Sequence, residues 1–194
     1  MIVKEMSLLS ADRLYDEFKK RAEAVGANVF RVATYAAAMD VVATYVQETG
    51  AKRVHIAPHE ELEKMQWRER LSPKGVHLST ELNRQELAQA DIGLSFLSYA
   101  VAETGSVLSA TESPLARAVS MLPPTHIAVV PAAGILPTVG DALQALYTAE
   151  DSLPGYISFI SGPSRTADIE RVLTIGVHGP SRLLVICVDE AEVK

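Results

Sequence analysis

The sequence is poor in cysteine, in long apolar runs and, over its second half, in basic residues. Its one cysteine, Cys187, excludes an internal disulfide, a CxxC redox pair and a cysteine-held iron-sulfur cluster within the chain. No apolar stretch approaches the roughly 20 residues of a membrane-spanning helix, so membrane insertion is not expected. Met1 to Ser10 carry Lys4 and Glu5 where a secretory signal would have a long apolar core. A formal net charge of -6 supplies no basic field, which disfavours nucleic acid as a partner. Walker-type and GxGxxG glycine spacings are missing. His55 and His59 are four apart but separated by Pro58, which argues against a helical metal pair. No metal and no cofactor are assigned, and a reducing, cytoplasmic location is expected.

What the 194 residues do contain is the composition of a packed domain, 48% hydrophobic and 22% charged. At this length folding buries roughly 70% of the extended chain's surface, and one domain spanning residues 1–194 is expected. Ser10 is placed to cap a helix running through Leu14 and Phe18 to Val25, with Gly26 after it, and this helix (residues 10–25) is expected to pack on the domain. Thr34 and Gly50 bracket a second helix. Arg53 to Ala57 reads as a strand, Glu60 to Arg70 as a charged helix, Gly75 to Ser79 as a strand and Leu82 to Ala90 as a helix.

From Asp91 small and apolar residues alternate. Ile92 to Phe96 and Val101 to Ala110 read as two strands joined by Leu97 to Ala100. Pro114 suits the first turn of a helix over Leu115 to Leu122, and Thr138 to Thr148 is a further helix. Ile127 to Val130 and Leu183 to Val188 have the unbroken apolar character of strands buried on both faces, and Ile157 to Ile160 is another strand. Strands separated by helices predict an α/β fold, a mainly parallel sheet covered by helices on both faces.

Charge is unevenly spread. Residues 1–100 hold 13 Lys or Arg, residues 101–194 only 5, and between Arg84 and Arg165 the single one is Arg117. Such an arginine needs a fixed partner: an ion pair with Glu103, Glu112 or Asp141, or a ligand. Ser161-Gly162-Pro163-Ser164-Arg165-Thr166 follows an apolar strand and combines hydroxyls, a glycine and a guanidinium. It is either an anion cradle at a strand's carboxyl end or a turn in which Ser164 or Thr166 caps the next segment, residues 167–170. Gly176-Val177-His178-Gly179-Pro180 is a tight loop in which His178 can hydrogen-bond or shuttle a proton; His126 has the same two possibilities, structural or functional. Glu103, among small and apolar residues, is either a functional carboxylate or the partner of Arg117, Ser106 or Thr104.

Four segments in order, Ala102-Glu103-Thr104-Gly105, Leu122-Pro123-Pro124-Thr125-His126-Ile127-Ala128-Val129, Ser161 to Glu170 and Gly176 to Pro180, resemble the lactate utilization protein C family, the LUD domain. The likeness runs from about Asp91 to Val188; Arg165 stands where the family usually has lysine. The resemblance implies the fold of glucosamine-phosphate deaminases, ribose-phosphate isomerases and coenzyme A transferases. It also implies a cytoplasmic component of L-lactate oxidation to pyruvate, acting with iron-sulfur partner proteins as a non-redox accessory or substrate-handling subunit. Two other functions stay open. One is a coenzyme A transferase-like or phosphate-ligand enzyme acting alone, in which Glu103 is the nucleophile by partial likeness to the transferases' Ser-Glu-Asn-Gly motif. The other is a ligand-binding regulator. A small anionic ligand is expected at Ser161, Gly162, Ser164, Arg165, Thr166, His178, Gly179 and Arg117.

Overall fold

Strands that are apolar on both sides must be covered on both sides, and two of them organise this fold. The computed structural model describes residues 2–72, 75–149, 153–166, 174–176 and 178–190. In it Thr125–Pro131 (β7) and Arg182–Val188 (β12) lie side by side at the centre of a six-stranded sheet, and every residue except Arg182 is buried. Asn28–Val32 (β1) pairs with the outer side of β12. Beyond β7 come Ile92–Phe96 (β4), Arg53–Ile56 (β2) and His77–Ser79 (β3), all pairs being parallel.

One face is covered by Tyr35–Thr49 (α2), Glu60–Lys64 (α3) and Trp67–Leu71 (α4), whose Met39, Val42, Leu62, Trp67 and Leu71 pack on Ile56, Leu94, Ile127 and Ile186. Thr34 starts α2 as the sequence predicts, its hydroxyl accepting from the Ala37 N–H at 3.1 Å. The opposite face receives Tyr15, Phe18 and Ala22 of Ile2–Ala24 (α1) on Ala128, Val130, Leu183, Val185 and Cys187. Leu87 of Arg84–Leu87 (α5) and Leu115 and Val119 of Pro114–Met121 (α6) form a smaller cluster with Ala57.

The α/β architecture is therefore the predicted one, with one addition: a second sheet shares the α1 face. Its order is Ile135–Leu136 (β8), Tyr99–Val101 (β5), Ser106–Thr111 (β6) and Tyr156–Ile160 (β9), with β6 antiparallel to both neighbours. Ala100, Val107 and Ile135 join the α1 cluster, while Val101 and Leu108 face Ala142 of Val139–Ala149 (α7). Arg165–Thr166 (β10) and Thr174–Ile175 (β11) form a separate two-stranded ribbon.

Three local expectations differ from the structure. Ser10 lies inside α1, because Ile2 to Leu9 contain no glycine or proline to stop a helix and an internal serine costs only tenths of a kcal/mol. The helix over Glu60 to Arg70 is two single turns broken at Gln66, whose φ of 54° is left-handed. An unbroken helix would put Leu62 and Trp67 about 140° apart around its axis; the break brings both into one core. The single strand over Val101 to Ala110 is a hairpin, turning through Ala102 to Gly105 with the Gly105 N–H donating to the Val101 carbonyl at 2.9 Å.

That turn lies against the backbone of α1. Gly105 has φ 64°, and a Cβ there would stand 2.3 Å from the Ala22 nitrogen. Gly105→Ala combines left-handed strain with a collision that no side chain can relieve. It should destabilise the fold by about 2 to 4 kcal/mol, read as a lower urea midpoint at unchanged slope.

Candidate functional site

Adjacent parallel strands whose outgoing loops part to opposite faces leave a crevice at their carboxyl ends. Here β2 and β4 are that pair. From β2 the chain continues to α3 on the α2 face, and from β4 it crosses to β5 in the second sheet. The resulting cleft measures about 190 Å³, and Ala57, His59, Ser95, Phe96, Tyr99, Ser109, Thr111 and Ser113 are among its lining residues. Among the described residues no Asp, Glu, Lys or Arg lines it, and the polar side chains they contribute are hydroxyls and one imidazole.

Each wall has a local cause. His59 caps α3, Nδ1 accepting from the Glu61 N–H at 3.2 Å, and its ring stacks on Phe96 with centroids 4.5 Å apart. Ser113 caps α6, its Oγ accepting from the Ala116 N–H at 3.3 Å, with Pro114 in the first turn. The helix reaches this position because Gly93 leaves β4 bare: a Cβ there would lie 2.0 Å from the Val119 carbonyl oxygen.

Beneath the cleft, Ser95 Oγ lies 2.8 Å from His126 Nε2. In the register Gly93 pairs with His126, so Ser95 stands two residues further along the same face, the one covered by α1, α6 and the second sheet. His126 is completely buried, and burial lowers its pKa from 6.5 to about 4, which keeps the imidazole neutral. Cys187 is buried in β12 with its thiol pushed up to about 12, also by burial. Among the described residues no three of His, Cys, Asp and Glu gather as a metal site, and no helix is long and apolar enough to cross a membrane.

The two predicted loops, Ser161 to Arg165 and the one holding His178 and Gly179, lie elsewhere, around the carboxyl end of α1. The Ser164 N–H donates to the Pro180 carbonyl at 2.8 Å, and Gly179 faces the Ser164 side chain, so the loops holding Arg165 and His178 lie together. They sit where β7 and β12 begin: the Ser181 N–H donates to the Pro124 carbonyl at 2.9 Å. The carboxyl-end rule does not cover this place, because β9, which leads into the loop, belongs to the second sheet. Gly162 packs on the Val25 carbonyl, and Arg165 Nη2 donates to that same carbonyl at 2.7 Å, a cation closing a helix's negative end. Ser161 Oγ lies 2.6 Å from Ser106 Oγ, which donates to Thr104 Oγ1 at 2.8 Å. The side chain of Thr166 and residues 167–170 lie outside the described residues.

Glu103 is exposed, and its Oε1 accepts from the Val139 N–H at 2.7 Å, at the first turn of α7. Arg117 pairs with none of the three carboxylates suggested for it; its guanidinium lies 4.2 Å from the centre of the Tyr156 ring. His178 is exposed. The cleft hydroxyls were not singled out, although Ser95 had a signal: it is a polar residue inside a strand that is buried along its whole length.

A family model described as the LUD domain matches residues 15–188. Lactate utilization protein C from Halalkalibacterium halodurans is 38% identical over 59% of this chain and 51% of its own. The protein of that name from Bacillus subtilis is 36% identical over 57% and 47%. The chain thus matches about half the length of these relatives. A crystal structure of a duf162 family protein from Deinococcus radiodurans aligns with a TM-score of 0.65, 24% identity and coverage of 92% of this chain and 98% of that one, a likeness of fold.

Two outcomes follow from this geometry. His126 binds protons more weakly folded than unfolded, so its contribution to stability is complete above about pH 6.5 and is lost as pH falls toward about 4. Urea titrations over that interval should show a loss approaching roughly 3 kcal/mol, flattened in His126→Asn. Arg165→Ala should lower stability by about 0.5 to 1 kcal/mol through the lost helix closure while leaving phosphate and acetate binding unchanged by calorimetry. A tenfold loss of anion affinity at unchanged stability would instead identify the loop as the anion site.

Proposed function

The chain belongs to the LUD domain family, and on that premise we propose that it is a component of L-lactate utilization, a non-redox accessory or substrate-handling subunit. It works in the cytoplasm with iron-sulfur partner proteins in the oxidation of L-lactate to pyruvate. The names of its relatives support the process. The single cysteine, buried in β12, supports leaving the clusters to the partners.

The observation that carries the substrate-handling part is the cleft at the carboxyl ends of β2 and β4. Its volume of about 190 Å³ is that of roughly six waters in the liquid, enough for a three-carbon acid. Hydroxyl donors and the first turn of α6 suit a small carboxylate. The transferase-like alternative places its chemistry on Glu103, whose carboxylate is engaged at α7, at the opposite end of β5 from the cleft-lining Tyr99. We assign Glu103 to holding that helix.

Pyruvate and L-lactate added to the isotope-labelled protein should shift the amide signals of Ser98, Ser109 and Thr111 saturably. A tagged chain should co-purify with proteins carrying iron-sulfur absorbance, and the isolated chain should not oxidise L-lactate with an artificial acceptor. Rapid turnover by the isolated chain would overturn the accessory role; unperturbed cleft signals at saturating acid would overturn the substrate-handling one.

A further inference from the structure

Ser95 and His126 form a pair whose protons are constrained by what surrounds them. His126 Nε2 meets Ser95 Oγ at 2.8 Å, and the other ring nitrogen, Nδ1, is buried with no hydrogen-bond partner among the described residues. Ser95 Oγ likewise has no second partner among them, while Ser95 lines the cleft. A neutral imidazole carries one proton, and there are two places for it.

With the proton on Nδ1, a donor N–H is buried with no acceptor among the described residues, and orphaned buried N–H groups are rare because nothing compensates their desolvation. With the proton on Nε2, the stranded atom is only a lone pair, a smaller penalty. Nε2–H then donates to Ser95 Oγ. The serine's own proton is left with one direction, toward the cleft.

We propose that His126 fixes Ser95 as a one-way hydrogen-bond donor, which binds an acceptor oxygen of a carboxylate or 2-oxo acid ligand at the floor of the cleft. Donation from the imidazole polarises the hydroxyl and strengthens the bond it makes in turn. A carboxylate or keto oxygen accepts such a proton without needing an acceptor in return, so pyruvate satisfies the floor at either of its ends. Ser95 is a binding and positioning residue here, and His126 acts through it. This rests on the cleft being the ligand site.

Two measurements test it on the intact chain. Two-bond proton-nitrogen correlation of the histidine-labelled protein at neutral pH should show His126 with Nε2 protonated and Nδ1 bare, in the free protein and with pyruvate. Pyruvate titrations should show Ser95→Ala binding roughly tenfold to a hundredfold more weakly than the parent chain, and Ser95→Thr, which keeps the hydroxyl, recovering part of that loss. A His126 protonated on Nδ1 overturns the proposal even if Ser95→Ala fails to fold. Equal pyruvate affinity in the parent and Ser95→Ala overturns it while leaving the cleft as the ligand site. No pyruvate binding to the parent chain at all overturns both.

Discussion

Backbone meets backbone where the turn at Gly105 lies on α1, and the position of the second sheet follows from that contact. A Cβ would stand 2.3 Å from the Ala22 nitrogen, so the hairpin of β5 and β6 is held closer to the helix than any side chain permits. At the other end of that hairpin Tyr99, Leu108 and Ser109 form one wall of the cleft. Gly93 does the same for α6 on β4, and Gly134 for the segment after β7, where a Cβ would lie 2.1 Å from the Ser98 carbonyl. The cleft is shaped by three places where the absence of a side chain sets the distance between elements.

Against that frame, a sheet interior is an expensive location for a histidine and a serine. Each offsets part of the other's desolvation through one hydrogen bond, and burial keeps the ring uncharged. In the register His126 pairs with Leu183 on one side and Gly93 on the other, and Ser95 pairs with Ala128, none of which has a polar side chain. The pair is thereby confined to few arrangements, which suits a group that must present one proton in one direction.

The main sheet was legible because its strands announce themselves: Ile127 to Val130 and Leu183 to Val188 are unbroken apolar runs, and Thr34 and Gly50 bracket α2 as their chemistry requires. The second sheet was not, because Ala102, Gly105, Ser106 and Ser109 are small enough to read as one continuous strand, and only the contact with α1 shows where the chain turns. The motif residues were visible as motifs, but motifs do not say which end of a sheet they occupy. Arg165 and the glycines beside it close α1 at the amino end of β12, whereas the cleft at the carboxyl end is lined by isolated serines and threonines with no spacing signature. Ser95 was not singled out; its one sign in the sequence is a hydroxyl within an apolar strand.

The order of the main sheet also bears on how the protein is made. The strand between β1 and β7 is β12, residues 182–188, so among the described strands β1 is made more than 150 residues before the neighbour it pairs with. Until that segment emerges, β1 has no neighbour among the described strands and the inner edge of β7 stands open, with aliphatic side chains on both sides. Parallel pairing across more than 150 residues is slow to find, and an unpaired apolar strand invites the wrong neighbour. Helices α2 to α6 can gather on β2, β3, β4 and β7 during synthesis, but closure of the sheet, and with it the seating of α1 on Val185 and Cys187, must wait until β12 has been made.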